Sequence, residues 1–577
     1  MRKLFFKKRN QSVLIGALIL TLSTVVVKIL GAFFKIPVGK ILGGVGNSYF
    51  EAAYALYNPV DALAVAGLPI AISRTVSENV AKGRFKDVRL VHKISIPIFL
   101  STGTVGFFMM IFSAFYYSNL INSPNAIFST LVLSPTILFS CLMSIYRGYY
   151  QGLKNMLPTA ISEIIEAASK LVFGLLFSSI IVYFKMDEYR KFSTVFGKFY
   201  PSAELAESAI LPFAAAGAIA GISVGAVLGF LFLFFRHRKY GDGITQKALI
   251  LSPEPAKPMQ TAKLLIKIAL PVGFGALIMN LGGLIDTIII RRQLCHIMET
   301  CSGCLLGIYS SNIPADKIEA KQVHDFLSGC LGYVSSIVML VPGITQMLGI
   351  SALPTITEAW ALKDREKLRK NIETIIKVTA IISIPSGIGL SVFGESILSL
   401  LYGGIRYREV NVASKIIVTM GIATIFTSMS APICSMLQAI GKINLPLGLL
   451  CAGAFIKIVT NYVLVGIPEV NIQGAGIGTL ICYGFVFFFS MYFLYRECSI
   501  RSNFLTIFLG PLMASILCAI LSLYLHKIIE IFLPKNLSII VIIILFVAVY
   551  LSILFALGYI KSKDFMLLKR KFLASCH

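Results

Sequence analysis

Runs of roughly twenty apolar residues recur from one end of this chain to the other, and nothing else constrains its fold as much. The stretch from 537 to 560, LSIIVIIILFVAVYLSILFALGYI, is the plainest. Each such run matches the hydrocarbon core of a bilayer, roughly 30 Å when wound as a helix. Of the 577 residues only 14% are charged, where a soluble protein of this size keeps roughly a quarter. A barrel would alternate apolar and polar positions, and these runs do not. The expected fold is an all-α polytopic membrane protein.

Counting apolar lengths between polar breaks gives about fourteen spans. The first six lie at roughly 13–36, 50–72, 93–117, 125–146, 157–184 and 208–235. The next six lie at roughly 264–290, 326–352, 374–397, 411–437, 445–467 and 472–495, and a final pair at roughly 503–526 and 537–560. Pro37 is expected to close the first span, and Pro59 to kink the second. The opening segment MRKLFFKKRN resembles a signal peptide. The apolar run behind it has no small-residue cleavage site in the usual place, so it reads as an uncleaved span.

The net charge of +25 is a statement about topology. Basic residues gather at Arg2 to Arg9, Arg74 to Lys93, Arg236 to Lys267, Lys363 to Lys377 and Lys561 to Lys571. All fall on one side of the membrane when spans are counted, the pattern of a cytoplasmic face. That is expected to place both termini on the cytoplasmic side and leaves no signal for nucleic acid. The same clusters suit anionic membrane lipids as partners. The eleven cysteines lie mostly in apolar runs, where they pack as small hydrophobes. Cys301 and Cys304 are the exception and read as an external thiol pair or disulfide. No metal site is expected, since a second ligand pair at proper spacing is missing.

The polar features repeat. YRGYYQGLKNMLPTAISEIIEAASK, from Tyr146 to Lys170, is a basic joint followed by a proline and a new apolar helix. Glu163, Glu166 and Lys170 share one face of that helix, with Glu166 and Lys170 as an i, i+4 pair. QAIGKINLPLGLLCAGAFIK, from Gln438 to Lys457, has the same layout with Lys457 as its buried cation. Ala66–Ser73 echoes Ser351–Thr357, and Gly217–Gly221 echoes Gly474–Gly478. About six spans separate each pair, so the repeat is parallel, about an axis along the membrane normal. The expected domains are an N-terminal lobe (1–240), a cytoplasmic linker with Pro253, Pro255 and Pro258 (241–262), a C-terminal lobe (263–500), and two extra spans with a basic tail (501–577).

Ionisable groups within spans mark a functional cavity by default. Lys28 and Lys35 in the first span suit a pyrophosphate or a sugar carboxylate. Asp61 in the second span reads either as a partner for Lys28 or as an ion or proton site. Glu163 has no cation four residues away, whereas Glu166 and Lys170 also read as a packing pair. Asp286 is a candidate ion site, and Arg291 and Arg292 read as a phosphate receptor or an interfacial rim. No phosphate loop, metal cluster or nucleophile–base pair is present, so neither a catalytic site nor a cofactor is expected, only a coupling ion such as Na+ or H+.

The segments AGLPIAISRTVSENVAKGRFKD, YRGYYQGLKNMLPTAISEIIE, LPVGFGALIMNLGGLIDTIIIRRQL and LQAIGKINLPLG together resemble the polysaccharide-transporter branch of the multidrug/oligosaccharidyl-lipid/polysaccharide exporter superfamily. Within it the likeness is to stage V sporulation protein B-like and lipid II flippase-like proteins, and it runs from about Gly16 to about Arg496. The resemblance implies a two-lobed, monomeric, alternating-access flippase for undecaprenyl-linked saccharides, serving cell-wall or spore-cortex synthesis. It also implies a cationic cavity cluster and a tail groove formed by the last two spans. Lipid II flippases carry arginines where this first span has Lys28 and Lys35. A multidrug-type cation antiporter is the alternative within transport. A membrane polymerase, glycosyltransferase or scaffold of the same pathway lies further off.

Overall fold

The structure is a computed structural model that describes residues 13–319, 321–404, 406–442, 444–498 and 504–559. The basic tails expected at either end lie almost wholly outside the described residues. Among the described residues, thirteen helical stretches are long and apolar enough to cross a membrane. The first of these stretches, Ile19–Ala81, holds both of the first two expected spans.

That stretch comprises α1 (Val13–Val65) and α2 (Gly67–Ala81). Pro37 does not end the first span as expected but lies inside α1, as does Pro59. The break falls instead at Gly43, with φ 62° and ψ −173°. A proline removes one hydrogen bond, whereas this left-handed turn needs a residue without a Cβ. The following helices are α3 (Phe85–Leu120), α4 (Ala126–Gly152), α5 (Leu157–Phe192) and α6 (Ala203–Tyr240). Between α5 and α6 a small hairpin pairs β1 (Thr194–Val195) with β2 (Lys198–Phe199), and Val195 packs with Ala206 and Ile210. Its turn residues Phe196 and Gly197 both have positive φ, the geometry of a two-residue hairpin turn.

Helices α5 and α6 meet at their glycines. A Cβ on Gly221 would lie 2.4 Å from the Cα of Gly174, so the small-residue run is there to let backbones touch. Its echo behaves alike, since a Cβ on Gly478 would lie 1.9 Å from Asn461 Oδ1.

The expected linker is folded onto α3. It contains α7 (Gln246–Ile250), and its Ala256 N–H donates to Asp87 Oδ1 at 2.8 Å. Ser252 Oγ accepts from the Lys86 N–H at 3.1 Å. Next come α8 (Pro258–Thr300), α9 (Ser302–Ile308), α10 (Ala315–Glu319) and α11 (Val323–Val338). Cys301, between α8 and α9, is joined by a disulfide to Cys304 in α9. The helices form two compact units. One is the described part of Met1–Tyr333 with Val465–Asn471, and the other is the described part of Val334–Leu464 with Ile472–His577. The unit boundary therefore falls inside α11 rather than in the linker, and α8 packs on α1, α2 and α3.

The second unit holds α12 (Leu340–Ala361), α13 (Arg365–Tyr402), α14 (Tyr407–Ala439), most of α15 (Asn444–Val465), and α16 (Gly474–Cys498). Ile356, Ile372, Ile376, Ile433 and Phe487 form one of its cores. The two extra spans, α17 (Phe504–Phe532) and α18 (Lys535–Ala556), pack against α13. Phe546 meets Phe393 with ring centroids 5.9 Å apart, and the Tyr550 hydroxyl donates to the Ile381 carbonyl at 3.0 Å. Large apolar side chains face outward throughout, among them Phe112 at 72% exposed and Ile544 at 64%. On a water-soluble protein that surface would be a liability; here lipid covers it.

Candidate functional site

The first unit carries a polar cluster where α5 faces α1 and the end of α4. The shared face read for Glu163, Glu166 and Lys170 puts all three beside α1 or α4, each with a different partner. Glu163 Oε2 accepts from the buried Ser23 hydroxyl of α1 at 3.1 Å. Glu166 does not pair with Lys170, contrary to the i, i+4 expectation. Its Oε2 takes Arg147 Nη2 of α4 at 2.9 Å, while Arg147 Nε donates to Ser162 at 3.0 Å. A pair along one helix stabilises by only about 0.2–0.5 kcal/mol. A guanidinium that reaches two acceptors at once does better.

Lys170 is left without a carboxylate. Its ammonium donates to the Tyr54 hydroxyl at 3.0 Å and lies 4.9 Å from the centre of the Phe34 ring and 5.2 Å from that of Tyr54. Among the described residues no carboxylate comes within ion-pair distance of it. Both aromatic partners come from α1, on either side of the Gly43 break.

Two further groups of α1 complete the cluster. Lys35 and Glu51 form a half-buried ion pair at 2.9 Å across the break. Asp61 Oδ1 accepts from the Tyr57 hydroxyl at 2.9 Å. The expected Lys28–Asp61 pair does not form. Lys28 is exposed on α1, and among the described residues it pairs with no carboxylate.

The candidates on α8 belong to a different network. Arg291, 2% exposed, donates to Asp325 Oδ1 at 2.8 Å and to the Ser48 carbonyl at 2.8 Å. The Ser123 and Ser48 hydroxyls also donate to Asp325 Oδ1, at 2.9 and 3.0 Å. This ties α8, α11, the turn before α4 and the segment after the α1 break together. Arg291 is thus neither a rim residue nor open to a ligand, whereas the exposed Arg292 donates to the Leu120 carbonyl at 3.2 Å. Asp286 is half-buried on α8, and Lys457 is half-buried on α15 in the second unit. Asp325, Arg147 and Tyr54 carry much of this geometry yet are not among the sequence candidates. Asp325 sits at the start of a helix, where an acid is ordinary, and Arg147 is 19 residues from its partner. Among the described residues no group of His, Cys, Asp or Glu is placed to hold a metal.

A helical membrane scaffold with ionisable groups held inside one helical unit is the architecture of a transporter. The family model "Polysaccharide biosynthesis protein" matches residues 13–186, and the MatE model matches 327–463. In these two stretches the chain is similar to proteins of the multidrug/oligosaccharidyl-lipid/polysaccharide exporter superfamily. Among curated proteins it is 23% identical over 494 residues to Lipid II flippase MurJ of Bacillus subtilis (strain 168), covering 83% of this chain and 82% of the relative. It is 22% identical over 474 residues to Stage V sporulation protein B of the same organism, covering 81% and 80%. Among solved structures, Lipid II flippase MurJ in an inward closed conformation superposes with a TM-score of 0.62 at 16% identity, covering 93% of this chain and 98% of that one. An inward-facing multidrug resistance MATE family transporter gives 0.59 at 14% identity, covering 83% and 98%.

Proposed function

We propose that this protein moves a polyprenyl-pyrophosphate-linked saccharide, lipid II or a related precursor, to the outer leaflet by alternating access. The observation that carries the reading is the Lys170 ammonium, held between Phe34 and Tyr54 without a carboxylate. Lys35 and Arg147 are each paired with a glutamate, whereas Lys170 has no ion pair of its own among the described residues. A pyrophosphate is the group in such a substrate that needs a cation as it crosses a low-dielectric span. Lys28, exposed on α1, serves as an earlier contact. The activity named for one relative, Lipid II flippase MurJ of Bacillus subtilis (strain 168), agrees with this reading.

A second observation favours an ion-coupled cycle and leaves room for the cation-antiporter reading. Glu163 and Asp61 are held by hydroxyls instead of cations, so each is free to take up Na+ or H+. On the flippase reading they couple transport; on the antiporter reading they bind the cargo. The remaining parts of the proposal are a monomer with both termini in the cytoplasm, two repeat-related lobes, and Asp286 and Lys457 contributing further contacts. Reconstitution into liposomes with labelled lipid II and, separately, a cationic dye tests it. Transport of the dye with no movement of lipid II would replace the flippase by the antiporter.

A further inference from the structure

The first unit contains a second polar site, at the end of the bundle where α4 and α6 finish and α3 begins. A cavity of about 230 Å³ opens there, lined by Arg89, His92, Tyr149, His237, Gly241 and Asp242. That is several times the ~30 Å³ share of one water molecule. Its walls are fixed. The imidazoles of His92 and His237 stack with centroids 4.7 Å apart, and Tyr146 and Tyr149 lie against His92 at 5.2 and 4.9 Å. His237 Nδ1 meets the Tyr150 hydroxyl at 3.1 Å, and the Arg236 guanidinium lies over the Tyr150 ring at 4.8 Å.

The one carboxylate in this group is already engaged. Asp242 takes a two-pronged contact from Arg89, at 2.9 and 3.3 Å, and a further bond from the Tyr149 hydroxyl at 3.2 Å. That leaves the Arg236 charge without an acid. It also leaves two buried nitrogens, His92 Nε2 and Arg236 Nη1, with no hydrogen-bond partner among the described residues. Buried donors of this kind are rare unless a ligand or water completes them. The acceptor they call for is anionic and carries several oxygens, as a tetrahedral phosphate does; guanidinium groups match it well. Arg84, Lys86, Arg238 and Lys239 stand nearby in sequence on the same helix ends, so the surrounding field favours an anion.

We propose that this cavity is a phosphate-binding site, separate from the α1–α5 cluster, that takes a phosphate group either from a membrane phospholipid headgroup or as the free ion. His92 lines the cavity and supplies its inner donor, Arg236 adds positive charge from beside the Tyr150 ring, and Arg89 lines it while paired to Asp242.

The full-length protein in phosphatidylcholine nanodiscs provides the test. Inorganic phosphate is titrated at constant ionic strength with ³¹P line broadening as readout, and melting temperature is compared with and without phosphatidylglycerol in the disc. Saturable broadening assigns the free ion. Stabilisation by phosphatidylglycerol alone assigns the headgroup. Either response should weaken at least tenfold in His92→Leu and in Arg236→Gln. Arg89→Gln, a change at an exposed side chain, carries the same test should an inner variant fail to accumulate. No response of the wild type to either source, or equal responses in all variants, overturns the proposal.

Discussion

Replacing Lys170 by methionine separates a substrate-binding cation from a structural one. In the wild type the ammonium gains about 0.5–2 kcal/mol from the Phe34 and Tyr54 rings. The bond to the Tyr54 hydroxyl adds about 1.5–3 kcal/mol, as for other hydrogen bonds to a charge. Dehydrating the ammonium costs several kcal/mol, so the two sides nearly cancel. Lys170→Met keeps the length and apolar stem, and folding stability should therefore change by no more than about 1–2 kcal/mol. Transport should respond differently. A cation about 4 Å from a phosphate charge contributes roughly 4 kcal/mol at an effective dielectric constant of 20. If half of that acts in the rate-limiting state, the loss is about 2 kcal/mol, or roughly thirtyfold in rate. The assay is translocation of labelled lipid II in proteoliposomes, paired with the melting temperature of the extracted protein. Arg147→Met is the contrasting variant. It strands Glu166 and should lower stability and transport together. Wild-type transport by Lys170→Met at unchanged stability would refute the reasoning, because it would show that no substrate charge meets this ammonium.

Three further outcomes follow from the packing and the ion pairs. Asp325→Asn should destabilise the fold by about 3–5 kcal/mol, since Arg291 is then buried without its counter-ion, and the thermal melt of the double variant Arg291→Met/Asp325→Leu should recover most of the loss. Gly221→Leu should cost about 3 kcal/mol or more against the Gly174 backbone, whereas Gly283→Ala, with nothing within 4 Å, should be near neutral by the same melt. Burial works to raise the Asp242 pKa, but the Arg89 contact and the Ile244 N–H outweigh it and hold the carboxyl below its usual range. Its contribution is therefore complete above about pH 4 and is lost as pH falls through the folded value. Proteolysis of the 241–262 segment should accelerate on acidification below that point, and Asp242→Asn should abolish the pH dependence.

Much of the fold was legible because membrane insertion writes itself into apolar length. Most expected spans coincide with a single helix; the first two run together through α1 and α2, and the eighth, 326–352, is divided between α11 and α12. What misled there was Pro37, a residue that costs a helix one bond, while Gly43, with its left-handed φ, went unread. The shared face of Glu163, Glu166 and Lys170 was readable from helical spacing. Their partners were not, because Arg147, Ser23 and Tyr54 arrive from other helices. Spacing along one helix suggested Glu166–Lys170, and a guanidinium from α4 outcompeted it. Arg291 was legible as an unusual cation near a span end, but the Asp325 that buries it sits 34 residues on, at the head of a separate helix. The docking of the linker on Asp87, and of its Asp242 on Arg89, likewise depends on contacts that no local pattern encodes.

The central claim is that the cargo is an anionic glycolipid and not a cation. Purified protein reconstituted into liposomes, supplied with labelled lipid II or another polyprenyl-pyrophosphate-linked sugar, measures it directly through the fraction accessible to an external enzyme. The account predicts faster exposure of at least one of these lipids than in protein-free liposomes, with the Lys170→Met protein falling back toward that background. Well-folded wild-type protein that exposes neither lipid would contradict it.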